Sequence, residues 1–384
     1  MASSTFIARI EQAVKERERL GLTRALQPLS NANQLLLNDG HRCYSNFASN
    51  DYLGLASDAD LIQAWQHGLT LYGAGSAASP LVTGFSPAHQ NLEVQLCEWL
   101  GFESAILFSS GFSANQALIF ALLEQQDTLL QDKLNHASLM EAGMLSAATM
   151  RRFHHNDTVD LANKLSKSDS ALVVTEGVFS MDGDCAPLSD IQSICQQQQA
   201  WLMVDDAHGI GVLGEYGKGS CHAAQIKPDI LVVTFGKALG LSGAAILCND
   251  LTGEYLTQFA RHHVYSTALP PAQAHAISHA ITMVQGEQWR RDKLHELQTY
   301  YHEALHDLPG YVATTTPIKP FLLASSLIAT TVAEDLKKQG CWVTAIRPPT
   351  VKQARLRITL STNHTPQEIK QLALSLRQVI ERSQ

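Results

Sequence analysis

The feature that most restricts the fold of this chain is a series of short apolar runs between about residues 104 and 247: "SAILFSSG", "TLLQDKL", "ALVVTEG", "WLMVDDAH", "DILVVTFG" and "GAAILC". Each is apolar at consecutive positions rather than alternate ones, as in a strand covered on both faces, and helical stretches separate them. Strand and helix in alternation build a mainly parallel sheet flanked by helices, so the class is α/β. Near residue 285 the pattern changes. "RRDKLHELQTYYHEALHDL" reads as a long amphipathic helix, "PFLLASS", "CWVTAIRPPTV" and "RLRITLS" read as strands, and a final helix begins about Pro366. That order indicates a small α+β domain. A chain of 384 residues exceeds what one core ordinarily organises, so a large domain plus a smaller one is expected.

Composition excludes several function classes. A formal charge of −8, from 36 acidic and 28 basic residues, disfavours non-specific attraction to nucleic acid or an anionic membrane, so an anionic ligand must meet a local site. The seven cysteines, Cys43, Cys97, Cys185, Cys195, Cys221, Cys248 and Cys341, are scattered and form no C-x-x-C pair, which indicates neither a disulfide framework nor a zinc site. At the start, "MASSTFIARIEQAVKERERLG" sets Ile7, Ile10 and Val14 at helical spacing among charges. That is a short amphipathic helix rather than a signal peptide. No apolar run approaches the roughly 20 residues needed to span a bilayer, and a cytoplasmic protein is expected. The pairs His154-His155 and His262-His263 lack the spacing of a metal site and read as surface or packing residues.

In an open parallel sheet, ligands collect at the carboxyl ends of the strands, so the polar residues after each apolar run are the ones to gather. "SAILFSSGFSANQAL" passes from strand through Gly111 into a helix, offering backbone N–H groups to a phosphate; the same glycine also fits a plain tight turn. "WLMVDDAHG" places Asp205, Asp206 and His208 after a buried strand. Adjacent carboxylates there cost on the order of several kcal/mol unless paired or bound to a cation, so a partner is expected. The segment alone also admits Asp205 as a cap and His208 as a core histidine.

Lys237 decides between these readings. It follows "VVTFG" and is flanked by Gly236 and Gly240, a setting that desolvates the ammonium, lowers its pKa and favours use as a nucleophilic amine. A phosphate-loop lysine is excluded, since Leu231 stands where that motif needs glycine and Ala238 follows the lysine. No G-x-G-x-x-G follows the first strand either, which argues against a nicotinamide dehydrogenase. A Schiff-base lysine, an upstream carboxylate for a pyridinium nitrogen and a glycine turn for a phosphate are what pyridoxal phosphate requires.

With Asp205-x-x-His208 and Thr234-x-x-Lys237 in place, the sequence resembles the α-oxoamine synthase family of fold-type I pyridoxal-phosphate enzymes. The likeness covers nearly the whole chain, through "SNDYLGL" (49–55), "LNHASL" (134–139), "TEGVFSMDGD" (175–184), "MVDDAHG" (203–209), "TFGKALG" (234–240) and "YSTALPP" (265–271). "GCWVTAIRPPTV" (340–351) and the absence of arginine at Pro80 in "GSAASPLVTG" are most similar to the biotin-pathway member. The resemblance implies an N-terminal helical segment over 1–40, a large cofactor-binding domain over 41–284 and a C-terminal domain over 285–384.

It also implies a reaction. Lys237 would hold pyridoxal phosphate, give way to L-alanine and then act as the base at its Cα. Asp205 would keep the ring nitrogen protonated, a pimeloyl thioester on coenzyme A or acyl carrier protein would be attacked, and the alanine carboxylate would leave as carbon dioxide. By the same resemblance His136 stacks on the ring and reaches the substrate, Ser180 and His208 bind the ring's phenolic oxygen, and Gly111, Phe112 and Thr234 hold the phosphate. Ser266 and Thr267 resemble a segment that reaches the phosphate across the interface of a homodimer with shared sites. Substrate contacts are expected from Arg24, Asn50, Thr350 and Arg357. Arg355 and Arg357 share one side of their strand, and either offers a fork to a carboxylate, while Arg24 also fits a solvated helix face and Asn50 a turn cap. Arg151, Arg152, Arg261, Arg290 and Arg291 are candidates for a basic patch that would receive an acidic carrier protein. The competing functions are a glycine-using sister activity with acetyl-CoA or succinyl-CoA, an aminotransferase, and a catalytically silent subunit, the last disfavoured by Lys237 itself.

Overall fold

The structure is a computed structural model and describes residues 3–383. Its thirteen strands are β1 (Leu36–Asn38), β2 (Cys43–Asn46), β3 (Ser104–Phe108), β4 (Thr128–Asp132), β5 (Thr149–Phe153), β6 (Ala171–Glu176), β7 (Trp201–Asp205), β8 (Ile230–Thr234), β9 (Ala244–Cys248), β10 (Ile318–Leu322), β11 (Cys341–Trp342), β12 (Thr344–Ile346) and β13 (Arg355–Thr359). Seven of them form the central sheet in the order β3-β9-β8-β7-β6-β4-β5. β9 runs antiparallel to both of its neighbours and the remaining pairings are parallel. The carboxyl ends of β3, β4, β6, β7 and β8 therefore open on one edge of the sheet, which is where a ligand site is expected.

Both faces of this sheet are covered, as the unbroken apolar runs require. β8 and β9 are buried at every position. On one face Ile106, Phe108, Val174, Met203, Val232 and Ile246 pack with Leu118 of the helix Gly111–Leu122. On the other, Leu107, Leu130, Val173, Val204 and Val233 pack into the larger core. That alternation is the period-two geometry of a strand expressed on two apolar faces. β5, "TMRRF", is the exception: it is an exposed edge strand whose arginines leave no apolar signal in the sequence.

Helix starts follow local capping chemistry. Asp58, Ser110, Asp157, Asn249 and Ser325 each accept a main-chain N–H of the helix they precede. The helices Ala59–Tyr72 and Pro271–Gly286 pack so closely that a Cβ on Gly68 would stand 2.8 Å from the Ala272 carbonyl oxygen. Alanine cannot replace that glycine without moving a helix.

β10, β13 and β12 form an antiparallel sheet in the C-terminal part, covered by the helices Ser326–Lys338 and Pro366–Ser383. A third sheet joins the two ends of the chain, β1 antiparallel to β2 and β2 parallel to β11. Two arginines of the anticipated basic patch are absorbed by packing. Arg290 is buried against the Leu53 carbonyl, Asp58 and Glu287, and Arg291 is buried against the Val284 carbonyl and Gln288. Arg290 ties its helix to the loop after residue 50 and Arg291 binds back to the end of the preceding helix, so neither offers its charge to a partner protein, whereas Arg151, Arg152 and Arg261 are exposed.

Candidate active site

Five strand ends converge on a cavity of about 290 Å³ whose lining includes Gly111, Phe112, His136, Asp205, His208, Thr234 and Lys237. Each arrives by a short local device. Ser110 caps the helix Gly111–Leu122 by accepting the Ser113 N–H at 3.1 Å, which leaves the N–H groups of Gly111 and Phe112 at the open first turn without an acceptor among the described residues. Thr234, the last residue of β8, presents a buried hydroxyl with no partner, and a Cβ on Gly111 would stand 2.6 Å from its Cγ2. A helix N-terminus, an orphaned hydroxyl and a glycine that keeps the space between them open make a cradle for a phosphate.

Opposite the cradle, Asp205 ends β7. Its carboxylate accepts the Asn115 side-chain amide at 2.7 Å and the Ala207 N–H at 3.0 Å. The neighbouring Asp206 turns away into protein and accepts the Ser220 N–H at 2.8 Å and the Ser220 hydroxyl. Burial pushes the Asp206 carboxyl up to about 7. The two carboxylates are thus divided, one facing the cavity and one holding the loop. Asp205 at the cavity, the cradle and the amine of Lys237 together fit a phosphorylated pyridine aldehyde: an anion for the ring nitrogen, donors for the phosphate and an amine for the carbonyl.

Lys237 Nζ lies 2.9 Å from His208 Nε2. The contact continues outward: His208 Nδ1 meets the Tyr52 hydroxyl at 2.7 Å, Tyr52 meets Asn50 Oδ1 at 3.2 Å, and Arg357 Nη2 donates to the same oxygen at 3.0 Å. Burial lowers the Lys237 pKa, with Asp205 and Glu176 pulling the other way. Burial, then the positive charges of Lys237 and Arg357, hold His208 well below its ordinary value, so it meets Lys237 as a neutral ring. Burial raises the Tyr52 phenol to about 12, which keeps its proton in place at neutral pH. The loop bearing Tyr52 is fixed by Asp51, which accepts the Leu55 and Ala56 N–H groups, and by Gly240, whose positive φ of 71° lets the lysine loop pass 2.5 Å from Ala56 N, measured from an added Cβ. Glycine is required there on both counts.

The remaining sequence-selected residues fall around this cavity. Asn50 and Arg357 stand behind His208, and Arg357 Nε also donates to the Ser180 carbonyl at 2.6 Å. Arg355 is committed to Asp182 and the Met181 carbonyl, which leaves Arg357 as the arginine of that strand that reaches the relay. Ser180 and Thr350 line a wider cleft of about 1120 Å³ beside the first. Ser266 and Thr267 border a small pocket with Ser109 and Leu269. Arg24 is exposed on the loop that follows the N-terminal helix Ser3–Arg19, outside all of these cavities.

Three residues carry more than the sequence indicated. Tyr52 joins Asn50 to His208, though nothing local marks its hydroxyl. Glu176, the end of β6, lines the cavity beside Asp205. His155 is not an ordinary surface residue: its Nδ1 meets Asp132 at 3.0 Å and its Nε2 meets Asp184 at 2.7 Å, with the Asn156 N–H on Asp132 at 2.8 Å. Burial opposes its charge, but hydrogen bonds and attraction from Asp132 and Asp184 outweigh this and raise it to about 10. As an imidazolium it links the strand ends that lead to His136 and to Ser180. The signal was the paired Asp-x-x-Asn-His and Met-Asp-Gly-Asp acids elsewhere in the chain, legible only once the fold joins them.

Comparisons with known proteins bear on the family and the fold. The model of the family described as aminotransferase class I and II matches residues 44–376. An 8-amino-7-oxononanoate synthase of Vibrio atlanticus is 65% identical over 380 residues, 98% of this chain and 94% of its own. Among solved structures, an 8-amino-7-oxononanoate synthase from Francisella tularensis superposes with a TM-score of 0.79 at 30% identity, covering 90% of this chain and 99% of that one. A serine palmitoyltransferase from S. paucimobilis, solved with a bound PLP-myriocin aldimine, superposes with a TM-score of 0.90 at 25% identity, covering 99% and 98%.

Proposed function

The chain belongs to the class I and II aminotransferase family, with the fold-type I architecture and the pyridoxal phosphate cofactor of that group, and on this premise we propose the reaction its site performs. It is an acyltransferase that joins L-alanine to a pimeloyl thioester, with loss of carbon dioxide, to give 8-amino-7-oxononanoate and a free carrier thiol in biotin synthesis. The observation that carries this reading is the Lys237 amine, 2.9 Å from His208, on the wall of a cavity shared with Asp205 and the Gly111–Thr234 cradle.

Pyridoxal phosphate supplies an aldehyde that captures amines and a ring that takes up the electron pair left by a departing proton or carboxylate. Lys237 would hold the cofactor through its amine, and the same amine, on the cavity wall, would take the proton from the alanine Cα. Its lowered pKa leaves part of the amine unprotonated for that task. Asp205, steadied by Asn115 and the Ala207 N–H, holds the proton on the ring nitrogen. The Gly111 and Phe112 N–H groups and Thr234 Oγ1 hold the phosphate. His208, kept in orientation by Tyr52, and Ser180 serve the phenolic oxygen, and His136 covers the ring and meets the substrate. Arg357, with Asn50 against it, receives a substrate carboxylate; Thr350, in the wider cleft, meets the acyl chain, and Arg24, exposed outside these cavities, would need to move to join them as a substrate contact.

The active form in this reading is a cytoplasmic homodimer with shared sites, residues 41–284 carrying the cofactor and 285–384 the smaller domain. Ser266 and Thr267 border a pocket beside the cavity rather than the cavity itself, which supports a role toward a partner's phosphate. Leu81, Val82 and Phe85 are exposed apolar side chains on the nearby 80–85 loop, which supports coverage by a second subunit. Among the described residues no helix is long and apolar enough to cross a membrane. The reaction is tested by incubating the protein with pimeloyl thioesters of coenzyme A and of acyl carrier protein and either L-alanine or glycine. The amino-oxononanoate product and carbon dioxide are expected with L-alanine; product from glycine alone would move the chain to a sister activity.

A further inference from the structure

Glu176 is an acid for which the reaction above has no use. It closes β6, pairs in register with Asp205 of β7, is only 3% exposed and lines the cofactor cavity. Its Oε1 is buried and has no hydrogen-bond partner among the described residues. The groups that face its carboxyl are Asp205 from β7, Asp132 from the end of β4, the His136 main-chain amide and Lys237. Asp205 is already served by Asn115 and the Ala207 N–H, so the cavity is arranged to keep one carboxylate charged. Glu176 has the His136 main-chain N–H but leaves Oε1 unpaired among the described residues, and a second anion beside the first is costly.

We propose that Glu176 is a further cofactor-binding residue, an uncharged carboxyl that donates a hydrogen bond inside a cavity whose negative charge resides on Asp205. Burial, followed by repulsion from Asp205, raises its pKa well above the carboxylate range, in keeping with that role. A buried acid oxygen with no partner among the described residues, on the wall of the cofactor cavity, is placed to be satisfied by the cofactor, so its hydrogen bond counts toward cofactor affinity. The division of labour matches the charge of the ligand: one anion meets the cationic ring nitrogen, and a neutral donor meets an uncharged or anionic atom beside it.

The inference rests on the pyridoxal phosphate reading, and the test separates the two. Infrared spectra of the apoprotein at pH 7 should contain the carbonyl stretch of a protonated carboxylic acid that is lost in Glu176→Gln. Equilibrium dialysis of pyridoxal phosphate should then give Glu176→Gln, which keeps a neutral donor, an affinity close to that of the wild type. Glu176→Met, of similar volume but with no donor, should bind about tenfold more weakly. A folded Met variant, checked by circular dichroism, with undiminished affinity would overturn the contact. A Gln variant as weak as Met, or a wild-type acid band that Glu176→Gln leaves unchanged, would overturn the neutral carboxyl. Failure of the wild type itself to bind pyridoxal phosphate would strike the family reading instead, and the infrared arm would still decide the protonation state.

Discussion

Lys319 and His155 are ionisable residues with opposite consequences for stability. Burial lowers the Lys319 ammonium from 10.5 to about 7, and the ammonium donates to Gln298 and Thr314. A depressed ammonium pKa means the unfolded chain binds more protons between those values, so this residue adds stability as pH rises from about 7 toward 10.5. His155 is raised from 6.5 to about 10; its contribution is complete below pH 6.5 and lost as pH climbs through 10. Melting temperatures across pH 6 to 10 should therefore show a stability deficit in His155→Gln that is largest at pH 6 and narrows toward about pH 10. The stability of Lys319→Met relative to wild type should be most favourable at pH 7 and below and decline above it. Flat differences in either series would reject the corresponding assignment. Tyr52 belongs to the same scale. Tyr52→Phe removes the hydroxyl between His208 Nδ1 and Asn50 Oδ1 and should lower kcat roughly tenfold with the cofactor still bound. Unchanged turnover would exclude the relay.

At the scale of the element, the site depends on strand ends and the turns that follow them. Gly111→Ala would bring a Cβ to 2.6 Å from Thr234 Cγ2, a clash costing about 1–3 kcal/mol, and would narrow the phosphate cradle. Weaker cofactor binding is expected with the fold intact, as read by dialysis and circular dichroism; wild-type affinity would place the phosphate elsewhere. The strands that supply the site were legible because each is apolar at every position, as "ILVVT" is in β8. β5 was hidden by its exposed, arginine-bearing edge, and β2 by shortness and by a pairing with β11 that spans some 300 residues of chain. The lysine, the cavity aspartate and the glycine turn were visible because each interrupts an apolar run with a residue that is expensive or unusual there. Tyr52 and Glu176 were not singled out and His155 was read as a surface or packing residue, since an aromatic in a loop, an acid at a strand end and a histidine beside another are ordinary until the fold supplies their neighbours.

For the molecule as a whole, chemistry sits where the covered sheet opens, and the C-terminal part brings a second wall to it through Arg357 and the 347–355 loop. Arg290 and Arg291 illustrate the limit of reading charge from sequence: long-range packing turned two apparent surface cations into buried anchors. The central claim is that Lys237 captures pyridoxal phosphate and yields it to L-alanine. Absorbance spectra of the purified, reconstituted protein and of Lys237→Ala, before and after addition of L-alanine and then glycine, test it most directly. The account predicts a visible band that depends on Lys237 and responds preferentially to L-alanine; no band in the reconstituted wild type, or an unaltered band in the variant, would contradict it.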